Sequence, residues 1–306
     1  MNAKVAGNKS LIKGSIAVGF SAILWGFDGV VLTPQLFRLD PLYVVFVLHL
    51  VPFLIMNLFL WREYRFLRLM TTQDLVFFLL VSLFGGAIGT LAIVKALFLL
   101  NFNNLSIVVL LQKLQPVFAI TLAHLLLREP LRKNFLLYAS MAIIGGYFLT
   151  FEFSLPDFQT GSNTALAALL AIVAAFSFGS STVFSKKVVT NYHFVTSTFY
   201  RYGFTSLIML VVMLLFGNLG DFFQTSQREW FFIFLIGITT GSGAIFLYYY
   251  GLRKVKAIVA TISELLFPIS AVLFDFLING TRLSVIQWLA AAVMVFAIIK
   301  LNKNQS

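Results

Sequence analysis

The stretch VVLLQKLQPVFAITLAHLLLREPLRKNFLLYASMAIIGGYFL, residues 108–149, decides the fold class. It holds two apolar runs, each close to the ~20 residues that a bilayer core demands, separated by the charged segment LREPLRK. The pattern predicts two membrane-spanning helices joined by a short turn where the chain meets water. The first run carries Gln112, Lys113, Gln115 and Pro116 at mid-span. Polar groups and a helix-breaking proline at that depth must face protein or a wet cavity, because lipid offers them no partner.

Working outward, the composition agrees. Of 306 residues 60% are hydrophobic and 11% charged, with a mean hydropathy of +0.95. A water-soluble globule would have too little polar surface to cover itself, so the reading is an integral, multi-pass protein of the cell (inner) membrane. The net charge of +11 lies in short clusters between apolar runs, where it fixes topology; no basic stripe with interleaved aromatics points to nucleic acid. Cysteine is absent, which excludes disulfides and thiol chemistry. Residues 1–13 are polar, and the run 14–33 is too long for a signal-peptide core and lacks an A-x-A-like exit, so it reads as a retained first helix. Further runs at 41–60, 75–99, 104–126, 134–151, 164–185, 194–216, 230–250, 256–278 and 283–300 bring the expectation to ten helices.

With the N-terminus inside, alternate loops carry sixteen basic residues, among them Arg62, Arg65, Arg68, Arg128, Arg132 and Lys186, against Arg38, Arg228 and Arg282 on the other side. The positive-inside rule then places both termini in the cytoplasm. A shift of 152 residues lays Gly85 and Gly89 on Gly237 and Gly241, His49 on Arg201, Pro116 on Pro268 and Leu131 on Leu283. With one residue of slack, AILWG ending at Gly26 meets AFSFG ending at Gly179. Five helices per half is an odd number, so the second half enters from the opposite side. The expected architecture is all-α, two inverted five-helix repeats (residues 1–152 and 153–306) around a central cavity.

The segments LLQKLQPVFAITLAHLLLREPL and ATISELLFPISAVLFDFLINGTRLS, each a helix with a mid-span proline followed by a turn, resemble the EamA-type domains of the drug/metabolite transporter superfamily, as do SAILWG and the arginine of FYRYGF. The resemblance covers nearly the whole chain in two copies. It implies ten helices around a central cavity, with Glu129 at the family's usual distance after the proline. The second copy has Thr281 and Ser284 where the family carries a glutamate, and His49 replaces an arginine in the first.

The ionisable residues inside apolar runs are Asp28, His49, Lys95, Lys113, His124, Arg201, Glu264 and Asp275. His49, Arg201, Gln112/Lys113 and Glu264 converge on the midplane, where inverted-repeat transporters hold substrate. Glu264 ranks first as a proton-coupling residue; the alternative is a structural pair with Arg201. Lys113 is expected to add positive charge to the cavity, and His49 to titrate, ligate or bond a neighbour. Asp28 and Lys95 fall in the outer third as a gate pair or a static brace, while His124 and Asp275 lie near helix ends, where interfacial solvation explains them. Trp25 is expected to form a stacking wall, with Tyr248 beside the cavity. Of the pair Tyr200 and Tyr202 and the run Tyr248, Tyr249 and Tyr250, some must face lipid. Gly85-x-x-x-Gly89 and Gly237-x-x-x-Gly241 read as close-packing surfaces, and Pro116 and Pro268 as hinges.

No G-x-x-x-x-G-K or H-E-x-x-H pattern occurs, and Ser180, Ser181 and His193 do not read as a nucleophile and its base, so an enzyme is not expected. No cofactor or metal is expected either. The reading is a secondary transporter, by preference an exporter of a small polar metabolite such as an amino acid or related carboxylate, working by alternating access with protons as a candidate co-substrate. The alternatives are an anionic sugar or sugar-phosphate exchanger and, from another class, a lipid scramblase or membrane scaffold. Lys95, Lys113 and Arg201, the basic residues within the helices, favour an anionic group on the solute. Membrane lipids are the other expected partner.

Overall fold

The computed structural model describes residues 2–100, 108, 111–131, 133–154, 162–217, 220–280 and 282–303, and no strand occurs among them. Helix α1 (Asn2–Phe27) runs on through a π turn, Asp28–Leu32, and a 3-10 turn, Thr33–Leu36. Helix α2 (Pro41–Leu60) leads into a 3-10 strap, Trp61–Arg68. Helices α3 (Thr72–Val81) and α4 (Gly89–Leu99) flank a π turn at Ser82–Ile88. Then come α5 (Gln115–Leu127), α6 (Lys133–Phe151), α7 (Ser162–Asn191), α8 (Phe194–Phe216) and the short α9 (Asp221–Gln224). Helices α10 (Gln227–Ile236) and α11 (Ser242–Leu252) flank a π turn at Gly237–Gly241. The chain closes with α12 (Ala257–Ser263), α13 (Leu266–Phe274), a π turn at Asp275–Asn279 and α14 (Val285–Lys303). Residues 101–107, which open the expected fourth span, and Arg132, Thr281 and the loop 155–161 lie outside the described residues.

Helix starts carry local signals. Asp40 accepts the amides of Leu42 and Tyr43 ahead of α2, and Thr71 with Asp74 and Ser226 with Glu229 form capping boxes. Eight helical stretches are long and apolar enough to cross a membrane, and Gln115–Leu127 and Val285–Leu301 are shorter apolar helices. The outer surface is apolar, with Leu58 and Phe216 each about three-quarters exposed, while Ser181, Thr182, Ser185 and Thr198 are buried. That polarity is the one a lipid solvent imposes.

The glycine pairs do pack closely: a Cβ on Gly85 would meet Ser181 Oγ at 2.1 Å, one on Gly89 Phe178 Cε1 at 2.9 Å and one on Gly237 Pro52 Cγ at 3.0 Å. Beyond that expectation, Gly85, Gly237 and Gly241 lie in π turns while Gly89 opens α4. Thr90 Oγ1 bonds the carbonyl of Gly85 at 3.2 Å, and Ser242 Oγ bonds that of Gly237 at 2.7 Å. Each hydroxyl takes up a carbonyl that the π turn has drawn out of the α-helical ladder. The mid-span prolines also do more than kink. The chain breaks at 113–114 and 264–265, where Leu114 N bonds Leu111 O and Leu265 N bonds Ile262 O, both at 3.1 Å. The helix restarts just ahead of Pro116 and Pro268, whose missing amide hydrogen is no loss in a first turn.

Packing joins the two halves. Helix α2 packs on α8 and α6 on α14; α1 lies against α11 and α13, while α7 lies against α4 and α5. The signature glycines permit two of these approaches. A Cβ on Gly26 would meet Ser270 Oγ at 2.0 Å and Ala271 N at 2.9 Å, and one on Gly179 would meet Gln115 O at 2.8 Å and Ala119 N at 3.0 Å.

A charged clamp holds the turn between α11 and α12. Arg128 adopts a left-handed conformation (φ 54°) after α5 and turns Glu129 inward. The Glu129 carboxylate accepts the amides of Ala257 (2.9 Å) and Ile258 (3.0 Å), the first of α12. From α7, Lys186 Nζ donates to the carbonyls of Leu252 (2.8 Å) and Val255 (2.6 Å). An anion at a helix start and a cation at a helix end both match the helix dipole.

Gly179→Ala is expected to destabilise the purified protein by about 1–3 kcal/mol, because backbone must shift to admit one methyl; Gly29→Ala, where nothing lies within 4 Å of the added atom, is expected to leave the unfolding temperature in detergent unchanged or raised. Glu129→Ala leaves two buried amides without an acceptor and is expected to cost about 2 kcal/mol or more. Glu129→Gln, whose carbonyl oxygen still accepts, is expected to cost less; equal losses in thermal unfolding would show that the clamp does not act through those amides.

Candidate functional site

The two mid-span breaks face one another across a cleft of about 50 Å³ lined by Gln112, Gln115, Pro116, Thr261, Glu264 and Phe267. Residues beside a helix break present side chains and freed backbone groups to the same space, which is how discontinuous helices build binding sites in transporters. Glu264 is the hub. Gln115 Nε2 donates to its Oε2 at 2.6 Å, and Tyr248 Oη donates to its Oε1 at 2.7 Å. Thr182 Oγ1 lies 3.4 Å from the same Oε1 and 3.0 Å from Tyr248 Oη. The Tyr248 ring sits 5.4 Å from the Trp25 ring, inclined at 54°. Four helices thus converge: α1 through Trp25, α5 through Gln115, α7 through Thr182 and α11 through Tyr248.

Arg201 does not pair with Glu264. Its Nη1 donates to Tyr249 Oη at 3.1 Å and its Nη2 to the carbonyl of Gly85 at 3.0 Å, while Nε has no partner among the described residues. Tyr249 Oη is in turn 3.0 Å from Ser185 Oγ. The π turn at Ser82–Ile88 explains the geometry, since it frees the Gly85 carbonyl that the guanidinium takes. Tyr248 and Tyr249 are sequence neighbours, so one stretch of α11 serves both polar groups.

The other expected site residues are placed as follows. The stem of Lys113 borders the cleft, yet its ammonium is buried and donates to Gly146 O and Thr150 Oγ1 on α6, so its charge is not presented to the cleft. His49 is buried, with Nδ1 2.8 Å from Val45 O and its ring 5.2 Å from Tyr202, away from the cleft lining. Asp28 and Lys95 do not form the expected pair: Asp28 accepts Thr33 Oγ1 at 3.2 Å, and Lys95 is exposed on the outside of the bundle. Among the described residues the one ion pair is Arg38 with Glu229, at 3.9 Å on the rim. Neither Tyr200 nor Tyr202 faces lipid; Tyr200 bonds the carbonyl of Glu63 at 2.8 Å and Tyr202 packs on His49. His124 lies 2.9 Å from the carbonyl of Glu129, and Asp275 accepts from Asn279 at 2.6 Å.

Thr182, Thr261 and Phe267 were not singled out from sequence, and Gln115 was noted there only as polar. A signal existed for Thr182: it stands three residues after Gly179, on the helix face that the close approach already orients inward. Gln115 is the residue immediately before Pro116, at the break itself.

Comparison with known proteins bears on the whole chain. The EamA-like transporter family matches twice, at residues 12–151 and 165–302. A protein of Fusobacterium nucleatum named riboflavin transporter ImpX is 50% identical over 293 residues, 95% of this chain and 98% of its own length. An uncharacterized transporter of Archaeoglobus fulgidus is 24% identical over 64% of this chain and 67% of its own, and the uncharacterized transporter YoaV of Bacillus subtilis 23% over 53% and 54%. A solved crystal structure, 18% identical, superposes over 95% of this chain and 99% of its own with a TM-score of 0.67, a likeness of fold alone. The chain therefore belongs to the EamA-like transporter family and is a multi-pass transport protein of the cell membrane, not an enzyme.

Proposed function

We propose that this chain carries riboflavin, or a flavin with the same ring system, across the membrane by alternating access. The observation that carries the reading is the set of neutral groups that hold the Glu264 carboxyl: Gln115, Tyr248 and Thr182 bond it, and among the described residues no cation lies within 4 Å of it. Lys113 and Arg201 are both engaged elsewhere. This disfavours the amino-acid or carboxylate cargo expected from the sequence, because an anionic solute would find no available cation there. A flavin instead offers a neutral imide edge, whose N–H suits a carboxylate acceptor and whose carbonyls suit the Gln115 amide. Its flat heteroaromatic ring suits Trp25 and Tyr248. The 50% identical relative named for riboflavin supports the same cargo.

The cleft of about 50 Å³ has room for about four waters, whereas sites for molecules of this size run to roughly 300–1,000 Å³. The halves must part to admit the solute, and the breaks beside Pro116 and Pro268 are the proposed hinges. We also propose ten spans in two inverted repeats, 1–152 and 153–306, with both termini cytoplasmic. The reciprocal packing, α1 on α11 and α13 against α7 on α4 and α5, supports that arrangement. Glu264 is the proposed proton carrier: when flavin displaces Gln115 and Tyr248, the carboxyl exchanges its bonding partners at the moment of binding.

Riboflavin counterflow in proteoliposomes tests the cargo. Saturable exchange is expected, competed by riboflavin and by lumichrome, which keeps the imide ring, and not by ribitol or glutamate. Competition by glutamate, or flux no greater than in protein-free vesicles, would sink the reading. Trp25→Ala is expected to weaken apparent affinity roughly tenfold, since stacking on an aromatic side chain is worth about 1–3 kcal/mol. Glu264→Gln is expected to abolish any proton movement that accompanies exchange, measured with a pH dye inside the vesicles; an undiminished signal would remove Glu264 from coupling.

A further inference from the structure

The strap WREYRFLR between α2 and α3, Trp61–Arg68, is sharply two-sided, and neither the transported solute nor the cleft accounts for it. Arg62, Arg65 and Arg68 are exposed, and among the described residues no carboxylate lies within 4 Å of any of them. Apolar groups stand exposed between and beside them: Trp61 is 62% exposed, Leu67 49% and Leu69 70%. Arg62 stacks over the Trp61 ring at 5.6 Å and Arg65 over the Phe66 ring at 4.8 Å, which sets two guanidinium planes against aromatic faces.

The strap is not a loose loop. Glu63, its one acid, turns inward, where its Oε2 accepts Thr196 Oγ1 at 2.6 Å and its carbonyl accepts Tyr200 Oη at 2.8 Å. Phe66 packs on Tyr192. The strap is therefore fastened to the first turns of α8, next to Arg201. It lies at the end of a membrane-spanning stretch, Pro41–Arg68, so its outward face meets the headgroup layer.

We infer that the Trp61–Arg68 strap is a binding site for the phosphate headgroups of anionic phospholipids, with Arg62, Arg65 and Arg68 as the phosphate ligands and Trp61, Leu67 and Leu69 seated in the upper acyl layer. Three exposed guanidinium groups, with no acidic partner among the described residues, leave their charge for an anion. Exposed indole and leucine side chains at the same level require a ligand that brings an apolar tail with it, which a soluble phosphate does not. A basic segment at a membrane surface gains about fivefold in affinity for anionic lipid per charge. Occupancy steadies the strap, and through Glu63 the start of α8.

Native mass spectrometry of the purified chain in mixed micelles with phosphatidylglycerol and phosphatidylcholine tests this without any assay of transport, so its outcome stands apart from the riboflavin reading. The wild type is expected to retain phosphatidylglycerol in preference to phosphatidylcholine and to unfold at a higher temperature in its presence. The triple variant Arg62→Gln, Arg65→Gln, Arg68→Gln is expected to lose that preference at least tenfold, and the corresponding triple Lys variant to keep most of it. Equal retention by the Gln variant, or full competition by millimolar inorganic phosphate, would overturn the proposal. Should the Gln variant fail to fold, a salt titration of the wild type decides: retention must fall steeply between low and moderate salt, and salt-insensitive retention would overturn the proposal equally.

Discussion

A carboxyl group stands midway along a membrane-spanning helix with no cation within 4 Å of it among the described residues, and the surroundings are arranged to tolerate it. Glu264 is held by an amide, a phenol and a threonine hydroxyl drawn from three other helices. In lipid such a group needs partners, and the only elements able to supply them are helices that come close enough to reach it. Gly179 brings α7 onto the backbone of α5, so that Thr182 and Gln115 arrive together; Gly26 brings α1 onto α13, with Trp25 one residue away. The small residues and the polar hub are two aspects of one constraint.

Arg201 presents the complementary problem. A buried guanidinium without a carboxylate is costly, and here the charge is met by a backbone carbonyl and a phenol. The π turn at Ser82–Ile88 makes this possible, because it releases the Gly85 carbonyl from its helix while keeping the chain helical on either side. Acid and base are thereby separated by the adjacent pair Tyr248 and Tyr249 on α11, each binding one of them. A separated pair leaves the acid open to exchange partners, whereas a closed ion pair would fix it. Strength lies farther out, where Glu129 and Lys186 grip the turn between α11 and α12.

Much was legible before any coordinates. Hydrophobic run lengths set the membrane class, and the shift that lays Pro116 on Pro268 and Gly85 on Gly237 marked the prolines beside the helix breaks and the close-packing glycines, although not the π turns that hold Gly85 and Gly237. Glu264 stood out as an acid in an apolar run. Run length and residue type are one-dimensional properties that the bilayer reads directly, since a span either buries its backbone in its own hydrogen bonds or does not form.

Partnership was not legible. The sequence offered Arg201 for Glu264 and Lys95 for Asp28, and neither pair forms; Lys113 turned from the cleft to α6, and Tyr200 and Tyr202 both found burial. Which side chains meet depends on helix rotation and on the extra residue of each π turn, which turns the following helix by roughly 100°. Composition and spacing by themselves determined a membrane protein of paired halves with a polar midplane. Tertiary structure alone decided which of its charges face the cleft and which are satisfied within the walls, because that choice rests on close approach between helices far apart in the chain.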